Sequence, residues 1–234
     1  MVSAESLQLG PESRRLDSEP LSEQVYRVLR DAICDGVFSD HAHLVQNQLA
    51  DQLQVSRTPV RDALLRLAQE NLVRAVGARG YIVHALSERD LLDIYEVRLT
   101  LEIQGAVLAL PHFDAADIRR LEAINENIND PDYKETDSYE LNRQFHIAVL
   151  EPCPNRLIVK ILGDMWGLPV SRRIFRRQLV EQHGRAEEHG HEPIIAAIRA
   201  RDAAALEATL SEHLLEARDD ATRYLAASPF KGVE

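Results

Sequence analysis

Four residues in the second half of the chain have the types and spacing to hold a metal ion. Asn142 and His146, in "NRQFH", stand four apart, so a helix projects both from one face beside Phe145 and Val149. His191 keeps helical register with Ile194, Ile195 and Ile198, and His213 keeps it with Leu206, Leu210, Leu214 and Ala217. If the three helices pack on one core, their imidazoles converge. Three nitrogens and an amide oxygen suit a borderline divalent ion such as Zn²⁺ or Ni²⁺, with a position left for water or a ligand. Taken singly, each histidine reads more simply as a satisfied core or rim residue. His189 is a rival for His191, but it sits about 200° away around the same helix and is expected to face solvent.

The frame that must position these groups is large enough for two modest domains: 234 residues, of which 45% are hydrophobic. No run of 18 apolar residues occurs, and "MVSAESLQLGPESRRLDSEP" has no signal-peptide core, so a soluble cytoplasmic protein without membrane contact is expected. Cys34 and Cys153 are far apart and outside any Cys-x-x-Cys pattern, which argues against a disulfide framework or a cysteine zinc site. Taken over the whole chain the net charge of −11 disfavours nucleic acid, but the acid is unevenly spread. Residues 1–85 hold 9 Arg against 11 acidic residues, and within 55–79 five Arg face only Asp62 and Glu70. That stretch is a small basic footprint.

Around that footprint the periodicity predicts three helices and a hairpin. In "PLSEQVYRVLRDAICDGVF", Leu21, Val25, Val28, Leu29, Ala32 and Ile33 fall on one helical face. "QNQLADQLQV" reads as a short second helix with Leu49, Ala50 and Leu53 inward. In "VSRTPVRDALLRLAQENL", Ser56 or Thr58 can cap a third helix whose first turn tolerates Pro59. Val60, Leu64, Leu67 and Ala68 then face the core, and Arg57, Thr58 and Arg61 point outward at the helix start. A helix-turn-helix presents that end to the major groove, where an Arg fork can bridge guanine O6 and N7. "LVRAVGARGYIVHAL" reads as two strands around a "GARG" tip, with Arg79 placed to enter a minor groove.

From Leu86 onward the pattern is helical: about 87–110, 114–128, 135–150, 154–180, 184–200 and 202–226, separated by Pro and Gly breakers. The basic run Arg172, Arg173, Arg176 and Arg177 reads as a solvated face. The chain is therefore mainly α: a tail over 1–18, a winged helix-turn-helix with a small β-hairpin over 19–85, and an all-α bundle over 86–228.

From Leu21 through Val83, "LADQLQVSRTPVRDALLRL", "ENLV" and "GARGYIV" resemble the winged helix-turn-helix of the GntR family of bacterial transcription regulators. The resemblance implies DNA contact by Arg57, Thr58 and Arg61, by the wing around Gly80, and by Asn47 at the start of the second helix, where relatives often carry a charge. "ELNRQFHIAVL", "HEPIIAAIRARDAAAL" and "SEHLLEA" resemble the FCD ligand-binding domain of the FadR-type members, over about residues 90–225. That resemblance implies a divalent metal held by Asn142, His146, His191 and His213, with an organic-acid effector beside it. Relatives most often have Asp at the position of Asn142, whose amide oxygen can ligate but brings no charge. Arg98, in "YEVRLTLE", matches an Arg placed to pair with the effector carboxylate. The expected protein is a homodimeric repressor of a near-palindromic DNA operator. A regulator that senses the metal itself is the alternative. A metal-dependent hydrolase is disfavoured, because "HEPII" has Ile195 where His-Glu-x-x-His needs its second His. Three inward histidines likewise speak against a metal-free acyl-CoA pocket.

Overall fold

The computed structural model describes residues 19–77, 80–129, 135–182 and 190–227, and side chains within them except at 135–137, 176–182, 224 and 227. The predicted tail over 1–18, Arg79 at the wing tip, His189, and the side chains of Arg176 and Arg177 lie outside these. Residues 19–33 and 38–84 form one compact unit; 34–37 and 85–227 form the second.

In the first unit, α1 (Leu21–Cys34), α2 (Gln46–Leu53) and α3 (Arg57–Gln69) pack beside a sheet of β1 (His43–Leu44), β2 (Val73–Ala75) and β3 (Tyr81–Val83). The sheet is antiparallel with order β1-β3-β2. Its core gathers Val25, Leu29 and Ile33 from α1, Leu49 from α2, Val60, Leu64 and Leu67 from α3, and Val73 and Val83 from the hairpin. The predicted apolar face of α1 is rotated. Tyr26 is buried, while Leu21 and Val28 are 48% and 51% exposed. At 100° per residue, Val25, Leu29, Ile33 and Tyr26 form one stripe, and Val28 falls beyond its edge. The Tyr26 hydroxyl donates to Glu70 Oε2 at 2.7 Å, and the Arg66 guanidinium lies 3.6 Å over its ring, tying α1 to the end of α3. Ser56 takes the N-cap position of α3 with extended backbone but makes no side-chain cap hydrogen bond.

The strand β1 is too short to register as a sequence period. It pairs with β3 at the base of the wing, where Gly80 has φ +105° and a Cβ would lie 2.6 Å from the Leu44 carbonyl oxygen. Both its dihedral and its contact require glycine.

The second unit is helical throughout: α4 (Glu88–Val97), a π turn (Arg98–Glu102), α5 (Ile103–Ala109), a 3₁₀ turn (Leu110–His112), α6 (Ala115–Ile128), α7 (Glu135–Leu150), α8 (Arg156–Trp166), α9 (Pro169–Gln182), α10 (Glu192–Ala200) and α11 (Ala203–Ala227). Ser87 with Asp90, and Asp114 with Asp117, close capping boxes on α4 and α6. Two predicted helices are divided. The segment 87–110 is interrupted by the π turn, and 154–180 breaks at Gly167, after which Pro169 begins α9. The basic run on α9 is not a solvated face over its described part, since Arg173 is buried and Arg172 pairs with Asp35 at 2.8 Å. The main core joins Ala106, Leu121, Phe145, Val149, Ile194, Ile198, Leu206, Leu210 and Leu214. Gly105 lets α5 approach α7 and α8, because a Cβ there would meet Leu150 Cδ2 at 2.7 Å.

Gly80→Ala is expected to lower the stability of the first unit by about 1–3 kcal/mol in urea unfolding of the full chain. Gly77→Ala is expected to cost less, since a Cβ at Gly77 meets nothing within 4 Å although its φ is also positive.

Candidate functional site

The first unit presents a polar, basic helix end. Arg57 and Thr58, the first two residues of α3, are exposed, and Arg61 follows one turn on. Arg61 Nη2 lies 3.1 Å from Asp62 Oδ1, both side chains being about half exposed, and an ion pair in that setting is worth little and is readily exchanged. Asn47 is exposed in the first turn of α2, and Arg74 is exposed on β2. Gly80 sits half-buried at the wing base.

In the second unit three histidines meet. His146 comes from the middle of α7, and His213 from α11 beside the buried Leu210 and Leu214. His191 is the N-cap of α10 rather than an interior helical residue, but its backbone is already αR and its carbonyl accepts from Ile195 N–H at 3.1 Å. Helical register from His191 to Ile195 therefore holds. Asn125 on α6 donates to Glu192 Oε1 at 3.0 Å, anchoring the start of α10. One ligating nitrogen from each imidazole lies within 4.8 Å of the others. His146 and His191 are buried; His213 is half-buried as a residue, but its Nδ1 is closed off from solvent. His191 Nε2 and His213 Nδ1 have no hydrogen-bond partner among the described residues. Asn142 is half-buried one turn before His146 on the same helix. The His191 ring stacks on Phe145 with centroids 3.9 Å apart, and the His146 ring stacks on Trp166 at 5.2 Å.

Arg98 and Glu102 stand against this cluster, buried within the π turn. Arg98 Nε donates to Glu102 Oε2 at 3.0 Å, and Arg98 Nη2 lies 3.3 Å from His146 Nε2. Glu102 Oε1 touches His146 Nδ1. The guanidinium lies 4.4 Å over the Trp166 ring and lines a small pocket with Ile94, Met165, Ser171, Ile174 and Phe175. Burial pushes the Glu102 carboxyl up, but Arg98 and then His146 outweigh it and hold the group at about 2. Burial pushes His146 below the ordinary imidazole range, with Glu102 opposing and Arg98 assisting. His191 and His213 are driven well below it, first by burial and then by neighbouring histidines and Arg98. Each shift favours the neutral ring, the state that binds metals. Register and motif do not single out Glu102. Its one sequence signal is its place four residues after Arg98 on an otherwise apolar face.

Residues 21–83 match the family described as bacterial regulatory proteins of the gntR family, and residues 93–216, more than half of the chain, match the FCD domain. The chain belongs to the GntR family, with an FCD domain. This regulator is 28% identical over 199 residues to the transcriptional repressor GlaR of Escherichia coli K12, covering 81% of this chain and 90% of GlaR. It is 29% identical to the gluconate operon transcriptional repressor of Bacillus licheniformis, over 74% of each chain. The solved structure of Escherichia coli McbR/YncC superposes with a TM-score of 0.65 at 22% identity, covering 88% of this chain and 99% of that one, and so shares its fold. Like these relatives, this GntR protein is a DNA-binding transcription regulator, not an enzyme. No helix among the described residues is long and apolar enough to cross a membrane.

Replacing Glu102 by Leu leaves the Arg98 charge buried and unpaired. In urea unfolding this is expected to cost about 3–5 kcal/mol, and adding Arg98→Leu is expected to recover most of the loss. Equal stability of the single and double variants would remove the pair from the account of this core.

Proposed function

We propose that this regulator is a homodimeric repressor whose affinity for a near-palindromic operator is set by a small organic acid bound beside a divalent metal, Zn²⁺ or Ni²⁺. The observation that carries the reading is the set of three imidazoles from α7, α11 and the start of α10, with nitrogens within 4.8 Å and His191 Nε2 and His213 Nδ1 lacking any described partner. A hydrophobic core tolerates unsatisfied nitrogens poorly, so a ligand for them is the economical account. Asn142, His146, His191 and His213 would hold the metal, with the Asn142 amide oxygen completing the set. Bound there, the metal supplies a Lewis-acidic anchor for an effector carboxylate. Arg98 lines the adjoining pocket and offers the second, cationic contact.

On the DNA side, Arg57, Thr58 and Arg61 would reach base edges and phosphates from the N-terminal end of α3, Asn47 would contact the backbone from α2, and the wing residues Arg79 and Gly80 would follow the adjacent minor groove. Two-fold symmetry of a dimer would place two such helices on matching half-sites. The effector controls affinity only through a difference in its binding to two states of the protein, commonly about 1–3 kcal/mol.

Arg61→Ala is expected to weaken operator binding by about 1–3 kcal/mol in a fluorescence-anisotropy titration, with thermal unfolding essentially unchanged. An unaltered affinity would reject α3 as the reading helix. Protein prepared without a His-tag or chelator is expected to carry near-stoichiometric Zn or Ni by elemental analysis, and His146→Ala and His191→Ala are each expected to lose it. Metal-free parent protein that still binds its operator and still responds to carboxylates would overturn the metal part of the reading.

A further inference from the structure

The metal set proposed above is electrically neutral. Three imidazoles and an amide bring no negative charge, and the buried Arg98 guanidinium beside them adds a positive one. A dication in such a place needs a compensating anion. Among the described residues Glu102 is the carboxylate that touches the cluster, where its charge offsets that of Arg98. It is fully buried, its Oε2 accepts from Arg98 Nε at 3.0 Å, and its Oε1 lies against His146 Nδ1.

The two contacts of the His146 ring agree on one arrangement of its proton. A guanidinium has donors only and keeps its charge, so the nitrogen facing Arg98 Nη2 at 3.3 Å, Nε2, must carry the lone pair. The ring proton then sits on Nδ1, the nitrogen against Glu102 Oε1, although the two are not aligned as a hydrogen bond in this arrangement. Stacking of the ring on Trp166 fixes its plane.

We propose that Glu102 is a positioning residue of the metal centre: its carboxylate keeps His146 in the Nδ1–H form, so that Nε2 is the nitrogen offered to the ion. This inference rests on the metal reading. Carboxylates that accept the far N–H of a ligating imidazole fix its orientation and raise its basicity, and their loss typically lowers metal affinity about 10–100-fold. A metal that takes Nε2 also takes the acceptor Arg98 uses in this arrangement, while Glu102 Oε2 still holds Arg98 Nε.

The test uses the full chain stripped of metal, labelled with ¹⁵N-histidine. Long-range ¹H–¹⁵N spectra, with His146 assigned by its loss in His146→Asn, are expected to show the parent ring protonated on Nδ1 and bare on Nε2. Competition with a chromophoric chelator for Zn²⁺ and for Ni²⁺ is expected to show affinity about 10–100-fold lower in Glu102→Gln and largely restored in Glu102→Asp. Circular dichroism checks that each variant is folded. If Glu102→Gln fails to fold, the parent spectrum and the Glu102→Asp affinity decide: a parent ring protonated on Nε2, or Glu102→Asp binding metal more than about 100-fold more weakly, overturns the proposal. Folded Glu102→Gln with parental affinity for both ions overturns it and leaves the metal reading standing. A parent chain that takes up neither ion overturns the metal reading, and the role of Glu102 toward an ion with it.

Discussion

A guanidinium and a carboxylate buried together constrain everything near them, because neither can be left half-paired without a large penalty. Arg98 and Glu102 are buried in this way inside the helical unit, on a turn widened to π form. Their pairing at 3.0 Å, the Trp166 ring under the guanidinium and the His146 ring against the carboxylate leave little freedom to any of the four. The interruption of the first FCD helix is therefore tied to where its polar side chains must go. The apolar stripe of α4 continues through Leu91 and Tyr95 and is then replaced, at Arg98 and Glu102, by a polar pair turned inward.

Around that pair the unit places neutral donors. His146 and His191 each lie on an aromatic ring, and His191 gains its place from the start of α10, held by Asn125 and Glu192. Burial favours the uncharged form of each ring, and one nitrogen from each gathers within 4.8 Å of the others. The first unit applies the opposite rule. Among its described residues the charged groups stay at or near the surface, paired loosely with neighbours such as Asp62, and its core gathers apolar side chains and the rings of Tyr26 and Tyr81. Weakly held surface charge suits contact with a polyanion, and rigidly held buried charge suits recognition of one small ligand.

Much of the fold was legible in the chain. Helical period located α2, α3, α6, α7 and α11 closely, and the Gly-tipped hairpin was visible because glycine and alternation are local signals. The misjudged features have a common cause. Period alone puts Val28 inward because it does not say where a stripe ends; the buried stripe instead extends the other way, to Tyr26, whose partner Glu70 lies forty-four residues away. The single helix expected over 154–180 overlooked Gly167 and Pro169, which together stop α8 and start α9. The basic run on α9 looks solvated in sequence, yet over its described part Arg173 is buried and Arg172 reaches Asp35. The strand β1 has two residues and exists only because β3 offers it an edge.

By itself, then, the sequence determined which residues could act: the outward Arg57, Thr58 and Arg61, the four-residue spacing of Asn142 and His146, and the registers of His191 and His213. These are fixed by the geometry of a single helix and need no knowledge of what packs against it. Only the tertiary structure decided that the three imidazoles meet, and that Arg98 and Glu102 turn inward to meet one of them. A pair four residues apart on a helix looks the same in sequence whether it is solvated or buried. What distinguishes the two is the surface brought against it by helices 40 to 115 residues further along the chain, and no local pattern records that.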